Sequence, residues 1–175
     1  MPLKGSVLKD LYPIYGMRQM SDNDILIDSF REAEVKKVME DLGFEAVSYG
    51  KGNHDVYHKQ PVSNIEIHTS LFVPSHNKAI YEYYRSVEEK LMPKEGFERK
   101  FSDEDFYIYM IAHEYKHYTN SGTGIRSLLD VYVFLRKHED DLDKNYIDSE
   151  LKKLGLEIFE NDNRDLNSIY LTETS

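Results

Sequence analysis

Two aspartates separated by one residue are the first feature of the chain that could do chemistry. Asp22 and Asp24 lie in the segment Arg18–Asp28, directly before the apolar run Ile25-Leu26-Ile27, which predicts a short buried strand. Alternate side chains share one face of a strand, so both carboxylates are expected to project the same way. Neighbouring carboxylates repel each other unless a cation lies between them. A metal site and a plain polar turn before the strand both fit this pattern.

A second predicted strand, Ile65–His68, carries a carboxylate and an imidazole together. Its sequence alternates, so Glu66 and His68 share one face while the isoleucines of the strand are buried on the other. Three carboxylates on neighbouring strands can bind one or two Mg²⁺ ions through oxygen. Such ions bridge the phosphates of a nucleotide and lower the pKa of an attacking hydroxyl. Asp22, Asp24 and Glu66 therefore form a candidate catalytic metal site.

The start of the sequence could hold a phosphate. Met-Pro-Leu-Lys-Gly-Ser leads into a segment with helical spacing that stops near Pro13, so Gly5 and Ser6 lie at a predicted helix N-terminus. Free backbone N–H groups, the helix dipole and a hydroxyl can bind an anion there, and glycine permits its close approach. A plain serine N-cap is the alternative interpretation.

The composition limits the classes of protein and partner. The 175 residues suffice for one domain with a substantial core. The net charge of −10 argues against a broad nucleic-acid-binding face, so we expect no long nucleic acid as partner. The chain has no cysteine, which excludes disulfides and thiolate sites. No apolar run reaches the length of a membrane span and no signal-peptide core is present, so a cytoplasmic location without membrane contact is expected.

The predicted elements divide the chain into a small α/β half and a helical half, which we expect to pack as one unit. Residues 1–73 form the α/β core, residues 74–160 form helices packed on it, and residues 161–175 form a polar tail. A turn is expected at residues 122–124. The predicted helices are Ser29–Leu42, Ala79–Met92, Ser102–Tyr118, Ile125–Lys137 and Asn145–Leu154, and the predicted hairpin strands are Phe44–Tyr49 and His54–His58.

A competing motif lies on a predicted helix of the second half. The residues from His113 to His117 fit the pattern His-Glu-x-x-His, in which two histidines on one helix face share zinc and Glu114 is the general base. A third protein ligand is required, and Asp130 and Glu139 are the candidates. The alternatives are two histidines that face a nucleotide cleft, or two histidines on a half-exposed helix face without a ligand.

The ordered set of motifs resembles the nucleotidyltransferase superfamily that includes DNA polymerase β. More closely, it is similar to an uncharacterised bacterial nucleotidyltransferase family with the pattern Leu-Lys-Gly, Arg-x-x-x-Asp-x-Asp, Glu-x-His and a C-terminal His-x-x-x-His helix. The resemblance covers residues 3 to about 137. The residues that carry it are Leu3-Lys4-Gly5, Arg18, Asp22-Asn23-Asp24, Glu66-Ile67-His68, His113, His117 and Arg126-Ser127-Leu128-Leu129-Asp130.

This resemblance implies a nucleotidyltransferase-like fold, α/β in the α+β sense, with a small mixed sheet flanked by helices and followed by a C-terminal helical part. It implies that Asp22, Asp24 and Glu66 bind Mg²⁺ or Mn²⁺ and that the third carboxylate helps to activate the acceptor hydroxyl. Arg126 and Asp130 could instead form an ion pair on the helix surface. The implied triphosphate contacts are Lys4, Gly5, Ser6 and Arg18, and the candidate cleft-lining residues are His68, His113, His117, Arg126 and Asp130.

One departure from the family pattern concerns the N-terminal side of the phosphate motif. Members of the family usually carry a helical region before Lys-Gly, whereas the present sequence starts at the motif. The strand that normally precedes the Gly-Ser helix is therefore expected to be nearly absent, which would leave the phosphate site incomplete.

The predicted reaction is the Mg²⁺-dependent transfer of a nucleoside monophosphate from an NTP such as ATP to an acceptor hydroxyl, with release of pyrophosphate. The acceptor could be a small molecule, a protein side chain or an RNA end. Two alternatives remain: a zinc-dependent hydrolase that uses His113, Glu114 and His117, and a catalytically inactive binding module of the same fold. The sequence does not indicate an oligomeric state.

Overall fold

The computed structural model describes residues 1–75, 77–120, 122 and 124–171. The turn predicted at residues 122–124 includes Thr123, which lies outside the described residues. Residue 76 and residues 172–175 of the predicted tail also lie outside them.

A four-stranded mixed sheet forms the N-terminal half, as the α/β prediction requires. Its spatial order is β1-β4-β3-β2, with β1 parallel to β4 and the other neighbours antiparallel. The antiparallel pairs are joined by short loops, whereas β1 reaches β4 by a longer connection that includes a helix and the hairpin. The strands are β1 Asn23–Leu26, β2 Glu45–Ser48, β3 His54–Lys59 and β4 Ser63–His68.

The first three residues extend the sheet beyond β1. Pro2 forms an antiparallel bridge with Ile25, the Leu3 amide donates to the Asp24 carbonyl at 2.9 Å, and the Leu26 amide donates to the Met1 carbonyl at 2.8 Å. Helix α1, Lys4–Leu8, follows directly and continues as a 3₁₀ turn, Lys9–Leu11. The strand that we expected to be nearly absent is thus a short bridged segment that runs directly into α1.

Helix α2, Glu32–Asp41, packs on the sheet and ends where the sequence predicts. Gly43 has a φ of 82°, a left-handed conformation that glycine adopts without steric cost. The predicted start is wrong by one turn, because Ser29–Arg31 is a 3₁₀ helix and no side chain caps α2. The face of α2 toward the sheet contributes Met39 to a small buried cluster with Tyr57 and Ile67.

The second half contains five α-helices, one 3₁₀ helix and one small hairpin among the described residues. Helix α4 is the centre of this half, because its residues 106–112 are all buried. The same buried cluster takes in Leu3, Leu8 and Leu26 from the N-terminal half, so both halves share one core. The helices are α3 Lys78–Tyr84, α4 Asp103–Asn120, α5 Ile125–His138, α6 Lys144–Leu154 and α7 Glu157–Leu171, and the hairpin strands are β5 Met92–Pro93 and β6 Arg99–Lys100.

Two predictions for this half are wrong. The helix predicted over Ala79–Met92 ends at Tyr84 and is followed by a 3₁₀ helix, Val87–Lys90. The Tyr84 ring packs against Phe72 and Tyr109, and such tertiary packing overrides helix propensity. The polar tail predicted from residue 161 is instead helix α7 as far as Leu171.

The polar residues of α7 are typical of a solvated tail in the sequence, but several of them face the interior of the protein. Glu160, Asn163 and Asn167 are buried, and Glu160 accepts a hydrogen bond from the Tyr107 hydroxyl at 2.6 Å. A hydrogen-bonded carboxylate can be buried, whereas its sequence signal is that of a solvated residue. No helix in the described ranges is long and apolar enough to cross a lipid bilayer.

Candidate active site

The alternation of β1 and β4 brings a set of polar side chains to one face of the sheet. Asp24 and Glu66 are Cα partners on these adjacent parallel strands, and Leu26 and His68 are the partners two residues further on. Asp24, Glu66 and His68 therefore lie on the same face. Their side chains are 29, 27 and 14 % exposed, so the group is reachable from solvent but partly enclosed.

His68 joins the two carboxylates. Its Nε2 lies 3.0 Å from Asp24 Oδ1 and 3.6 Å from Glu66 Oε2. His54 approaches the group from β3, with its Nε2 3.7 Å from Glu66 Oε2 and its ring centroid 5.0 Å from that of His68. An ionised carboxylate can only accept, so the His68 Nε2–H donates to Asp24.

The group has the donor atoms that a divalent cation requires. One atom from each of Asp24, Glu66 and His68 lies within 4.8 Å of the other two. Carboxylate oxygens suit Mg²⁺ and Mn²⁺, and an imidazole nitrogen is a common ligand of transition metals. The residues present therefore fit a hard divalent ion held by two carboxylates. This is the only three-residue group of that kind among the described residues.

Asp22 lies outside this group. β1 begins at Asn23, one residue after Asp22, and the structure does not bring the Asp22 carboxylate to the Asp24, Glu66 and His68 atoms. The pKa of Arg18 is raised because its hydrogen bonds to Asp130 and the charge of Asp130 outweigh the effect of burial, and the charge of Asp22 adds a smaller part. A role for Asp22 as a metal ligand stays a prediction.

The first turn of α1 lies beside Asp24. The Leu3 amide, which precedes the helix, donates to the backbone carbonyl of Asp24 at 2.9 Å, so Lys4, Gly5 and Ser6 begin the helix beside the backbone of β1 at Asp24. The N-cap residue is Leu3, and the Ser6 amide donates to the Leu3 carbonyl at 3.1 Å. The interpretation of Ser6 as a helix cap is therefore wrong, because Ser6 lies within the helix.

Gly5 is needed for the packing of Arg18. A Cβ added at Gly5 would lie 3.0 Å from Arg18 Nη1, a separation at which the guanidinium would have to move. Gly5 is itself buried. The close approach that the sequence led us to expect for an anion is thus made, in this structure, by an arginine side chain.

Asp130 on α5 forms ion pairs and hydrogen bonds with residues of the N-terminal segment. Arg18 donates to it from Nε at 2.8 Å and from Nη2 at 2.9 Å, and the Tyr12 hydroxyl donates at 2.7 Å. Lys4 Nζ lies 3.8 Å away. We call these four residues the Asp130 cluster. The alternative ion pair between Arg126 and Asp130 is wrong, because Arg126 is exposed while Asp130, at 1 % exposure, is bound by the cluster.

Glu114 is buried beside this cluster. Its side chain is 1 % exposed and neither carboxylate oxygen has a hydrogen-bond partner in the described chain. Burial raises the pKa of Glu114 to about 7; the charge of Lys4 opposes the rise and that of Asp130 adds to it. Glu114 is thus turned toward the protein interior, which does not suit a solvent-facing general base of a zinc protease.

The remaining parts of the zinc site are not assembled either. The rings of His113 and His117 are neighbours, with centroids 4.7 Å apart, but no third ligand joins them within the described ranges. Asp130 is held by the Asp130 cluster, and Glu139 pairs with Lys144 and Arg164. The structure therefore does not support the zinc-hydrolase alternative.

One stripe of α4 lies near the carboxylate group instead. Tyr109 contacts His113, with ring centroids 5.7 Å apart. Burial lowers the pKa of His113 well below its ordinary value, and nearby positive charges, among them Lys4 and Lys116, add to this effect. His113 is therefore neutral near neutral pH. His68 is among the residues whose charge acts on it, so His113 lies on the side of the helix that faces β4.

Lys116 is a site residue that the sequence analysis missed. Burial lowers its pKa, whereas the charges of Asp24 and Glu66 raise it. The Lys116 ammonium therefore interacts electrostatically with these two carboxylates. Lys116 follows His113 by three residues, the spacing of one helix face. That spacing is the signal in the sequence that places Lys116 on the same helix face as His113.

The fold and this site define the class of the protein. A small mixed sheet with two carboxylates in register on neighbouring strands, a helix start beside them and helices packed behind is a nucleotidyltransferase-like fold, which confirms the predicted α/β class. The chain belongs to the family described as "Uncharacterised nucleotidyltransferase", whose model matches residues 1–162. No curated protein and no solved structure matches the chain.

Proposed function

We propose that this protein transfers a nucleoside monophosphate from an NTP to an acceptor hydroxyl and releases pyrophosphate, with Mg²⁺ or Mn²⁺ as the metal. The observation that carries the proposal is the register of Asp24 and Glu66 on adjacent strands beside the first turn of α1. Membership of a nucleotidyltransferase family supports nucleotidyl transfer as the general reaction.

Asp24 and Glu66 are the residues that would hold the metal, with Asp22 as a third carboxylate. A bound divalent ion supplies charge neutralisation on the phosphates and activation of the acceptor hydroxyl. His68 keeps the two carboxylates together through its hydrogen bond to Asp24 and its approach to Glu66. Glu66 would also assist removal of the acceptor proton, in keeping with its partly exposed side chain on β4.

Lys4, Gly5 and Ser6 would contact the triphosphate from the first turn of α1, and Lys116 would approach it from α4. The support for Lys4 is its place in the first turn of α1, with a side chain that is only 12 % exposed. The support for Lys116 is that the charges of Asp24 and Glu66 raise its pKa against the effect of burial. Arg18 has a different part, because both of its donating edges engage Asp130 and its guanidinium packs on Gly5. It supports the position of α1, and His113 and His117 would line the cleft.

The acceptor is a small molecule, a protein side chain or an RNA end. A net charge of −10 opposes the approach of a long polyanion, so long nucleic acid is the acceptor that the electrostatics favour least. The carboxylate group itself is negative, and a metal–nucleotide complex offsets that charge only locally.

A thermal titration with the four NTPs, each with and without Mg²⁺, tests the proposal. A nucleotide that binds only the folded protein raises the melting temperature by mass action, by several degrees at about 100 times its Kd. We expect a Mg²⁺-dependent rise for at least one NTP that is lost in Asp24→Asn and Glu66→Gln. Asp41→Asn, at the exposed end of α2, is the matched control and should behave as the wild type. A wild type that no NTP stabilises would contradict the proposal.

A further inference from the structure

Glu114 is a buried carboxylate that has no role in the proposed reaction. A carboxylate that is 1 % exposed is normally paired or hydrogen-bonded, because an unpaired buried charge is strongly unfavourable. Neither oxygen of Glu114 has a hydrogen-bond partner in the part of the chain that the structure describes. The negative charge of Glu114 is therefore stabilised only by neighbouring charges.

The charges of two side chains outside α4 act on Glu114. They are those of Lys4 on α1 and Asp130 on α5, and the Lys4 Nζ lies 3.8 Å from the Asp130 carboxylate. Asp130 is already satisfied by the two hydrogen bonds of Arg18 and the one of Tyr12. On its own helix, the neighbouring His113 is held neutral by burial.

Of the two cations in the Asp130 cluster, Lys4 lies farther from the Asp130 carboxylate than Arg18 does. Its Nζ lies 3.8 Å from Asp130 Oδ2, beyond hydrogen-bonding distance, whereas Arg18 binds the same carboxylate at 2.8 and 2.9 Å. The Lys4 side chain is 12 % exposed, so it lies at the boundary between the buried cluster and the face that carries Asp24. A flexible four-carbon chain can turn from one side to the other without moving the backbone.

We propose that Glu114 is a positioning residue for Lys4 in the free protein. It takes up a proton when nucleotide binding draws the Lys4 ammonium away. In the free protein, the Lys4 ammonium balances the buried carboxylate. When the triphosphate draws the ammonium toward the first turn of α1, Glu114 loses its counter-charge and takes one proton from a buffer acid in solvent. The bond between that proton and the buffer acid breaks as an O–H bond forms on Glu114. This inference rests on the proposed function, because it concerns the same nucleotide.

The titration of Glu114 suits this exchange. With Lys4 in place, its pKa is about 7, so a large share of the molecules carry the anion slightly above neutral pH. Withdrawal of a positive charge raises the pKa of a buried carboxyl further. Nucleotide binding is therefore linked to uptake of about half a proton just above neutral pH, and nucleotide affinity falls as the pH rises above 7.

Calorimetric titration of the protein with Mg²⁺–NTP, in buffers of equal pH but different ionisation enthalpy, measures this proton uptake directly. We expect uptake by the wild type, and a loss of about half a proton from that value in Glu114→Gln, which keeps the shape without the charge. Lys4→Met should bind more weakly and lose the same share of uptake. Glu150→Gln is the control, because Glu150 is a buried carboxylate of α6 that pairs with Tyr83 and Lys153 away from this cluster.

Equal proton uptake in the wild type and in Glu114→Gln would overturn the inference while leaving the proposed function intact. Absence of any nucleotide binding by the wild type would instead overturn the proposed function, and the inference with it. If Glu114→Gln does not fold, the wild type alone decides: its affinity for Mg²⁺–NTP should fall severalfold per pH unit above 7, toward a limit of about tenfold. An affinity independent of pH in that range would contradict the inference.

Discussion

Arg18 and Asp130, 112 residues apart in the chain, form a two-pronged ion pair in which Nε and Nη2 of the guanidinium donate to the two carboxylate oxygens at 2.8 and 2.9 Å. The pair joins the segment before β1 to helix α5, and the buried guanidinium packs against Gly5 in α1. The position of α1 relative to Asp24 therefore depends on a contact between the two halves of the molecule.

Removal of this carboxylate should be strongly destabilising. Asp130→Ala leaves the Arg18 guanidinium buried without its partner, and the loss of one member of a buried pair typically reduces the free energy of unfolding by about 3–5 kcal/mol. Chemical denaturation measures the difference. Arg126→Ala, on the exposed side of the same helix, is the control, and its effect should stay within about 0.5 kcal/mol. Similar effects of both substitutions would show that the ion pair does not organise this interface.

Gly5→Ala should displace Arg18. The added methyl group would lie 3.0 Å from Arg18 Nη1, so the guanidinium must shift away from its bonds to Asp130. Overpacking of this kind is destabilising by about 1–3 kcal/mol, and the shift should also weaken nucleotide binding because α1 moves with it. Gly124→Ala is the matched control, since nothing lies within 4 Å of the position of its Cβ. A Gly5→Ala variant with unchanged stability and unchanged nucleotide affinity would contradict this account.

Binding of Mn²⁺, followed by the loss of the free-ion signal in electron paramagnetic resonance, tests the metal site without nucleotide. Asp24→Asn and Glu66→Gln should each weaken binding by about tenfold or more, because each removes one of two anionic ligands. Asp22→Asn should have a smaller effect, since its carboxylate lies outside the group formed with His68. Equal losses in all three variants would show that Asp22 moves into the site when metal binds.

Glu114 should make the stability of the free protein depend on pH. Its folded pKa of about 7 lies above the ordinary value of 4.5, so the protonated form is favoured by folding. The stability it contributes is fully present below pH 4.5 and is lost as the pH rises to about 7, by up to about 1.4 kcal/mol per pH unit.

The comparison with Glu114→Gln isolates this effect from the other titrating groups. The difference in unfolding free energy between wild type and variant should change in favour of the variant as the pH rises from 4.5 to 7, and then level off. Denaturation at a series of pH values gives that difference. A difference that does not vary with pH would mean that Glu114 titrates normally.

The sequence revealed the parts of the site that depend on local rules. The apolar run Ile25-Leu26-Ile27 and the alternation of Ile65–His68 indicated two strands, and alternation alone placed Glu66 and His68 on one face. The pairing of Asp24 with Glu66 was expected only in outline, because the register of two strands far apart in sequence is set by the core and not by either strand alone.

Long-range partners could not be predicted in the same way. Asp130 has a helical neighbour at the spacing of an ion pair, Arg126, yet its partner is Arg18. Arg126 is close to Asp130 in any helix, because four residues separate them in sequence. Arg18 is 112 residues away in sequence, so only the packed tertiary structure brings it to α5. Glu114 was assigned to zinc chemistry by its motif, although its position on the buried side of α4 excludes it from the face of His113 and His117.

Incubation of the purified protein with a cell extract, Mg²⁺ and NTP labelled with ³²P on either the α or the γ phosphate tests nucleotidyl transfer most directly. We expect the protein to place label on an acceptor from the α-labelled NTP and none from the γ-labelled NTP. The transfer should be lost in Asp24→Asn and Glu66→Gln and kept in Asp41→Asn. Transfer from the γ position, no transfer by the wild type, or equal transfer by Asp24→Asn would contradict the proposed function.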